Sequence, residues 1–189
     1  MKKIVLFASG NGTNAEEIIK CFKKDSLGTV AAVLTNNSDA KVIDKAKKLE
    51  VNTLIFNKTE LNEGFVLDKL NIIKPDLIVL AGFLLKFPEH IIKAYPNKII
   101  NIHPALLPNY GGKGMYGMNV HKAIFENKDE KTGITIHYVT PNYDEGAIIF
   151  QKNVTILDCI SPEEIAKKVH QLEHKHFPEV IKKLLTQNS

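Results

Sequence analysis

Arginine is absent: every one of the 25 residues in the Lys+Arg count of this 189-residue chain is lysine. The planar, permanently charged fork that proteins favour for bidentate contacts to carboxylate and phosphate is therefore missing. Any anion held here must be met by backbone N–H groups, lysine or neutral donors. Cysteine is scarce. Cys21 and Cys159 stand far apart and form neither a C-x-x-C pair nor a disulfide ladder, which points to a reducing, cytoplasmic setting. Long apolar runs are missing too, and none approaches the ~18 residues needed to cross a bilayer. Residues 1–8 start like a signal peptide, basic and then apolar. Ser9-Gly10-Asn11-Gly12 stops that run short of the ~7–15 apolar residues such a segment needs. No five consecutive lysines occur, and 25 lysines against 21 acidic residues leave a net charge of +4, a weak signal for nucleic acid. Small-molecule partners are expected, not nucleic acid or a membrane, for a chain that is a monomer or weak homodimer.

A chain of this length is read as one domain over residues 1–189, with a core burying roughly 70% of the unfolded surface. Continuous apolar runs recur at 4–8, 30–34, 53–56, 77–81 and 98–102, mostly separated by segments of helical length and polarity. Strands that are apolar throughout, not in alternation, are usually covered on both faces, as helices do in a parallel sheet. The first five strands thus read as doubly wound α/β. After Pro104 a Pro/Gly-rich loop runs to Gly117, followed by a short helix near 119–126 and two strands, 133–139 and 147–156. Strands joined so closely are antiparallel neighbours, since a parallel pair needs a crossover of a dozen or more residues. A last helix opens at Ser161-Pro162-Glu163-Glu164, a capping box with proline at the first helical position. Its apolar face carries Ile165, Val169, Leu172, Val180 and Leu184.

Four places could carry chemistry. Ser9-Gly10-Asn11-Gly12-Thr13-Asn14-Ala15 is a G-x-G-x-x-A turn between a strand and a helix, where glycines admit an anion and the helix start offers N–H groups. The second strand ends Leu34-Thr35-Asn36-Asn37, without the acidic residue a dinucleotide's ribose requires. The loop therefore suits a monophosphate, or is merely a tight turn. In Asn101-Ile102-His103-Pro104, strand alternation sets Asn101 and His103 on one face and Ile100 and Ile102 on the other. An imidazole that moves protons near neutral pH then stands beside an amide able to bond a developing oxyanion. A histidine that only bonds a backbone carbonyl would fit the same sequence. Asp144, in the turn Thr140-Pro141-Asn142-Tyr143-Asp144-Glu145-Gly146, could raise the pKa of a histidine beside it, although spacing does not bring it to His103. His170, Glu173, His174 and His176 invite a metal reading, but their spacing is not H-E-x-x-H and no cysteine supports them. No metal is expected. Glu173 projects about 80° from the Ile165 direction, near the margin of the apolar face, where it could reach a cleft.

Together these segments resemble a known family. Ser9-Gly10-Asn11-Gly12-Thr13-Asn14, Leu80-Ala81-Gly82-Phe83, Asn101-Ile102-His103-Pro104-Ala105-Leu106-Leu107-Pro108, Thr132-Gly133-Ile134-Thr135-Ile136-His137 and Tyr143-Asp144-Glu145-Gly146 are similar, in this order, to the phosphoribosylglycinamide formyltransferases, folate-dependent enzymes of purine synthesis. The likeness covers nearly the whole chain. It implies a Rossmann-like formyltransferase fold: a mostly parallel sheet of about seven strands, helices on both faces and an antiparallel C-terminal part. Residues 1–100 would form the nucleotide- and phosphate-binding half, and residues 101–189 the catalytic and folate-binding half.

The resemblance implies transfer of a formyl group from 10-formyltetrahydrofolate, a co-substrate, to the amine of glycinamide ribonucleotide. By it, Asn101 and His103 stabilise the oxyanion with His103 as proton donor, and Asp144 keeps His103 protonated and oriented. Gly12, Thr13 and Asn14 match the loop that holds the phosphate. Glu173 matches the carboxylate that binds the ribose hydroxyls, with His170 at a neighbouring position. The folate would lie along Leu84, Leu85, Lys86 and Phe87, beside Asn101 and against Thr140, Pro141, Asn142, Tyr143 and Asp144. His137 also matches and reads as structural support. Two departures stand out. The segment Tyr110-Gly111-Gly112-Lys113-Gly114-Met115-Tyr116-Gly117-Met118 is longer than in the best-known members. Arginines that commonly hold the folate are absent, with Leu85 at one such place, so Lys58 or Lys86 is expected to meet the glutamate tail. Methionyl-tRNA formyltransferase and formyltetrahydrofolate deformylase carry similar catalytic segments with an additional domain, for which this length leaves no room. The other readings are a hydrolase releasing formate from the same folate, and a non-enzymatic folate- or nucleotide-binding module. The first would not need the phosphate loop with Glu173, and the second would not need Asn101, His103 and Asp144 together.

Overall fold

Successive side chains of a strand point to opposite faces of its sheet, and two apolar layers follow from that period. The computed structural model describes residues 1–187. In β1 (Lys2–Phe7), Ile4 and Leu6 enter one layer while Val5 and Phe7 enter the other, all four without exposed surface. β2 (Gly28–Thr35), β3 (Thr53–Ile55), β4 (Leu77–Leu80) and β5 (Ile99–His103) extend the sheet in parallel. β6 (Lys131–Tyr138) and β7 (Ile148–Thr155) complete it in antiparallel pairing, giving the order β3-β2-β1-β4-β5-β6-β7.

Helices cover both faces. α1 (Thr13–Lys23) and α2 (Val42–Lys48) pack on the layer of Ile4 and Leu6, whereas α3 (Lys58–Asn62), α4 (Phe65–Ile73) and α5 (Glu89–Ala94) pack on that of Val5 and Phe7. α6 (Met118–Glu126) and α7 (Pro162–Gln187) return to the first layer. The expected mixed α/β sheet is therefore present, with strand ends moved by a residue or two. One expectation fails locally: β3 is not covered on both faces. It is a three-residue edge strand whose Ile55 is 50% exposed, because no later strand pairs beyond it. α7 begins as the capping box predicts on one side, Ser161 Oγ accepting the Glu164 N–H at 3.3 Å. The return bond reaches one residue further back, from the Ile160 N–H to Glu164 Oε2 at 2.8 Å.

β6 fixes the depth at which β7 lies, and it does so with a glycine. A Cβ on Gly133 would stand 2.0 Å from the Lys152 carbonyl oxygen and 2.9 Å from Asn153 Cα on the paired strand, backbone atoms that cannot swing aside. Gly133→Ala is expected to destabilise the protein by about 3 kcal/mol, the upper end of overpacking costs. Gly10→Ala, whose Cβ meets nothing within 4 Å, should stay within about 0.5 kcal/mol of the parent. Urea unfolding of the two variants measures the contrast, and equal midpoints would contradict it.

Candidate active site

The parallel strands β1, β4 and β5 end on the same edge, where open α/β sheets bind ligands. A cavity of about 530 Å³ opens there. At one side, the turn between β1 and α1 is drawn tight. Gly12 caps α1 in the left-handed region at φ 66°, and a Cβ there would lie 2.3 Å from Val42 Cγ2. Ser9 Oγ donates to Asn36 Oδ1 at 2.6 Å and accepts the Leu84 N–H at 2.9 Å, tying the turn to the ends of β2 and β4. Asn36 thus spends its side chain on the loop, at the place where a dinucleotide site would carry an acid. No side chain caps the start of α1, and Gly12, Thr13 and Asn14 line the cavity.

In the middle of the cavity the strand-face reading of β5 holds. Ile100 and Ile102 belong to the apolar layer, though Ile102 also reaches the cavity wall, while Asn101 and His103 line the cavity with their polar groups. The Asn101 amide donates to His137 Nε2 at 3.1 Å, and His137 Nδ1 meets its neighbour's Tyr138 carbonyl at 2.9 Å. A carbonyl can only accept, so Nδ1 carries that proton and Nε2 is left to accept. One Asn101 N–H is spent on this contact, and the other remains for a ligand. Asp144 joins the group from the turn between β6 and β7, itself at φ 55°. Its Oδ2 lies 3.6 Å from His103 Nδ1 and accepts the Gly112 N–H at 2.9 Å, and its Oδ1 lies 3.5 Å from His137 Nε2. Burial pushes the Asp144 carboxyl up, but its polar surroundings, with the Gly112 N–H donating to Oδ2, hold it below the usual aspartate value.

His103 differs from the expectation that Asp144 keeps it protonated. Burial drives its pKa down and outweighs the pull of Asp144, since 3.6 Å is too long for a hydrogen bond. Its Nε2 instead donates to the Tyr110 carbonyl at 2.7 Å, which sets the neutral tautomer.

Toward α7, Asn14 Nδ2 donates to Glu173 Oε2 at 2.9 Å, joining residues 159 apart in sequence. Glu173 is 5% exposed, so the helical-wheel margin is an inward position. Burial pushes its carboxyl up to about 7, with Asn14 pulling it back. His170 Nε2 stands 4.0 Å from the same carboxylate. His174 stacks on His170 and His176 lies against Phe150; among the described residues no group of three or more His, Cys, Asp or Glu is placed to hold a metal.

On the opposite side Leu84, Lys86, Phe87 and residues 140–144 line the cavity. Leu85 does not; half-buried, it packs against the layer of Phe7. Lys58 is likewise outside the lining, whereas Lys86 lies 6.0 Å over the Tyr143 ring. The sequence reading passed over His121, which also lines the cavity. A polar residue inside the apolar stripe of α6 was the available signal.

A family model described as Formyl transferase matches residues 2–181. The phosphoribosylglycinamide formyltransferase of Bacillus subtilis (strain 168) is 36% identical over 196 residues, covering 100% of this chain and 97% of its own. The chain belongs to the phosphoribosylglycinamide formyltransferase family. An Arabidopsis thaliana relative, named as the chloroplastic form, is 38% identical over 187 residues and 95% of the chain. The chain spans 64% of that plant protein's length, less than two thirds. The crystal structure of the formyltransferase from Anaplasma phagocytophilum superposes with a TM-score of 0.90 at 29% identity, covering 98% of this chain and 88% of that one.

Within this formyltransferase fold, Glu173 carries a stability cost with a defined sign. Its carboxyl ionises near 4.5 when unfolded and near 7 when buried, so between those values the native state holds more protons and stability falls as pH rises. The full penalty, about 3 kcal/mol, applies above pH 7. Glu173→Gln is therefore expected to raise the melting temperature by several degrees at pH 8, with most of that gain gone at pH 5. Paired melts at the two pH values check it, and an equal shift at both would contradict the buried-carboxylate account.

Proposed function

We propose that the protein transfers the formyl group of 10-formyltetrahydrofolate to the amine of glycinamide ribonucleotide, yielding the N-formyl ribonucleotide and tetrahydrofolate in purine synthesis. One observation carries this reading: Asn101, His103 and Asp144 line a single cavity between the Gly12–Asn14 turn with Glu173 on one side and the Leu84–Phe87 stretch on the other. The folate enters as a consumed co-substrate that supplies the formyl group.

The start of α1 would hold the phosphate through backbone N–H groups, as a chain without arginine requires. Glu173, with His170 beside it, would take the ribose hydroxyls. Leu84, Lys86, Phe87 and residues 140–144 would hold the pterin, with Lys86 facing the glutamate tail. As the amine attacks the formyl carbon, the carbonyl oxygen gains charge. The unspent Asn101 N–H donates to it, and His103 adds a second bond by turning its Nε2–H from the Tyr110 carbonyl to that oxygen. Asp144, held ionised by its neighbours, accepts the proton that the attacking amine sheds and passes it, directly or through water, to the departing folate nitrogen. The protein would act as a monomer or weak homodimer. Two unpaired cysteines fit a cytoplasmic setting.

Purified protein should convert 10-formyltetrahydrofolate to tetrahydrofolate only when glycinamide ribonucleotide is added, followed spectroscopically. Turnover without the acceptor would favour the hydrolase, and tight binding without turnover the binding module. Asn101→Ala and His103→Ala should each lower kcat by about 10²–10³ while still folding by circular dichroism. Parental rates in either variant would sink the site assignment.

A further inference from the structure

His121 sits on α6 with 2% of its surface exposed, lines the cavity, and has an Nδ1 with no hydrogen-bond partner. A buried polar atom left unpaired costs free energy, so an imidazole kept in such a position calls for a partner that arrives with a ligand. Burial, with His170 and His103 nearby, holds its pKa down to about 4. The ring is therefore neutral at physiological pH and offers one N–H and one lone pair. Its ring centroid is 6.4 Å from that of His170, edge to face, and His170 Nε2 is 4.0 Å from the Glu173 carboxylate. His121 thus stands between the Glu173 end of the cavity and His103, the span that the sugar and its amide would occupy.

Resting on the function proposed above, we propose that His121 is a further substrate-binding residue, whose Nδ1 hydrogen-bonds the ribosyl amide portion of the ribonucleotide between its phosphate and its reacting amine. A neutral imidazole suits that portion, which presents hydroxyl and amide groups and no charge. The folate side of the cavity lies beyond His103 and would not feel the contact.

Calorimetric titration of glycinamide ribonucleotide and of tetrahydrofolate into the parent, His121→Phe and His121→Asn tests the assignment. The Phe variant should bind the ribonucleotide about ten- to a hundred-fold more weakly and tetrahydrofolate within about twofold of the parent. His121→Asn, which keeps a polar atom near the place of Nδ1, should recover part of the loss. Because Nδ1 is unpaired in the free protein, the Phe variant should melt close to the parent. Unchanged ribonucleotide affinity in His121→Phe, with the parent binding normally, would overturn the assignment and leave the proposed function standing. Failure of that variant to fold, or parallel loss of both ligands, would also overturn it, since either assigns His121 to packing. A parent that does not bind glycinamide ribonucleotide at all would bring down the proposed function together with this assignment.

Discussion

The register between β5 and β6 sets Asn101 directly opposite His137 and His103 opposite Thr135, and the arrangement of polar groups in the cavity depends on that pairing. Opposed residues on one face of an antiparallel pair lie close enough for side chains to bond. Asn101 is thereby oriented by His137. Thr135 turns the other way along the strand: its hydroxyl donates to the Ala105 carbonyl and accepts the Leu107 N–H, with Gln151 of β7 closing the group. The chain leaving His103 is held by these bonds. A slip of one residue would carry Asn101 and His103 into the apolar layer, so the burial of Ile100, Ile102, Ile134 and Ile136 guards the register of the polar face.

The absence of arginine shapes the charge in the cavity. Its lining includes two carboxylates, Asp144 and Glu173, and two lysines, Lys86 and Lys113. Neither lysine makes an ion pair with those acids among the described residues. The two acids are managed in opposite ways. Asp144 is ringed by His103, His137 and the Gly112 N–H and stays ionised, while Glu173 takes a hydrogen bond from Asn14, with His170 only at 4.0 Å, and is driven toward its neutral form. Two carboxylates in one cavity with pKa values pushed apart can take different tasks.

Much of the architecture was legible because period-2 alternation and continuous apolar runs are local signals. They located all seven strands to within two residues, and the face shared by Asn101 and His103. The edge position of β3 was not legible, since coverage depends on which strand pairs next. Asp144 and Glu173 were placed by resemblance more than by spacing. Asn14 meets Glu173 across 159 residues, and no local pattern encodes such a meeting. The protonation of His103 ran against expectation for a related reason. A neighbouring carboxylate can be read from a motif, but the depth of burial that outweighs it emerges only from packing. Leu85 shows the same limit at the scale of one residue, adjacent to two lining residues yet turned into the core.

The segment from Tyr110 to Met118 meets His103 and Asp144 through its backbone. Tyr110 is pinned at its far end, the hydroxyl donating to Asp129 Oδ2 at 2.7 Å, while its carbonyl accepts a hydrogen bond from His103 Nε2. Two residues on, the Gly112 N–H takes the Asp144 carboxylate. The backbone therefore bridges the two groups that stand too far apart to bond each other. Tyr110 and Gly112 both adopt left-handed conformations, which lets successive peptide groups turn opposite ways, presenting a carbonyl to the imidazole and then an N–H to the carboxylate. A side chain at position 112 would strain that turn. The glycine richness of the segment is thus tied to the chemistry: it lets bare backbone supply both an acceptor and a donor within reach of the proton-handling pair.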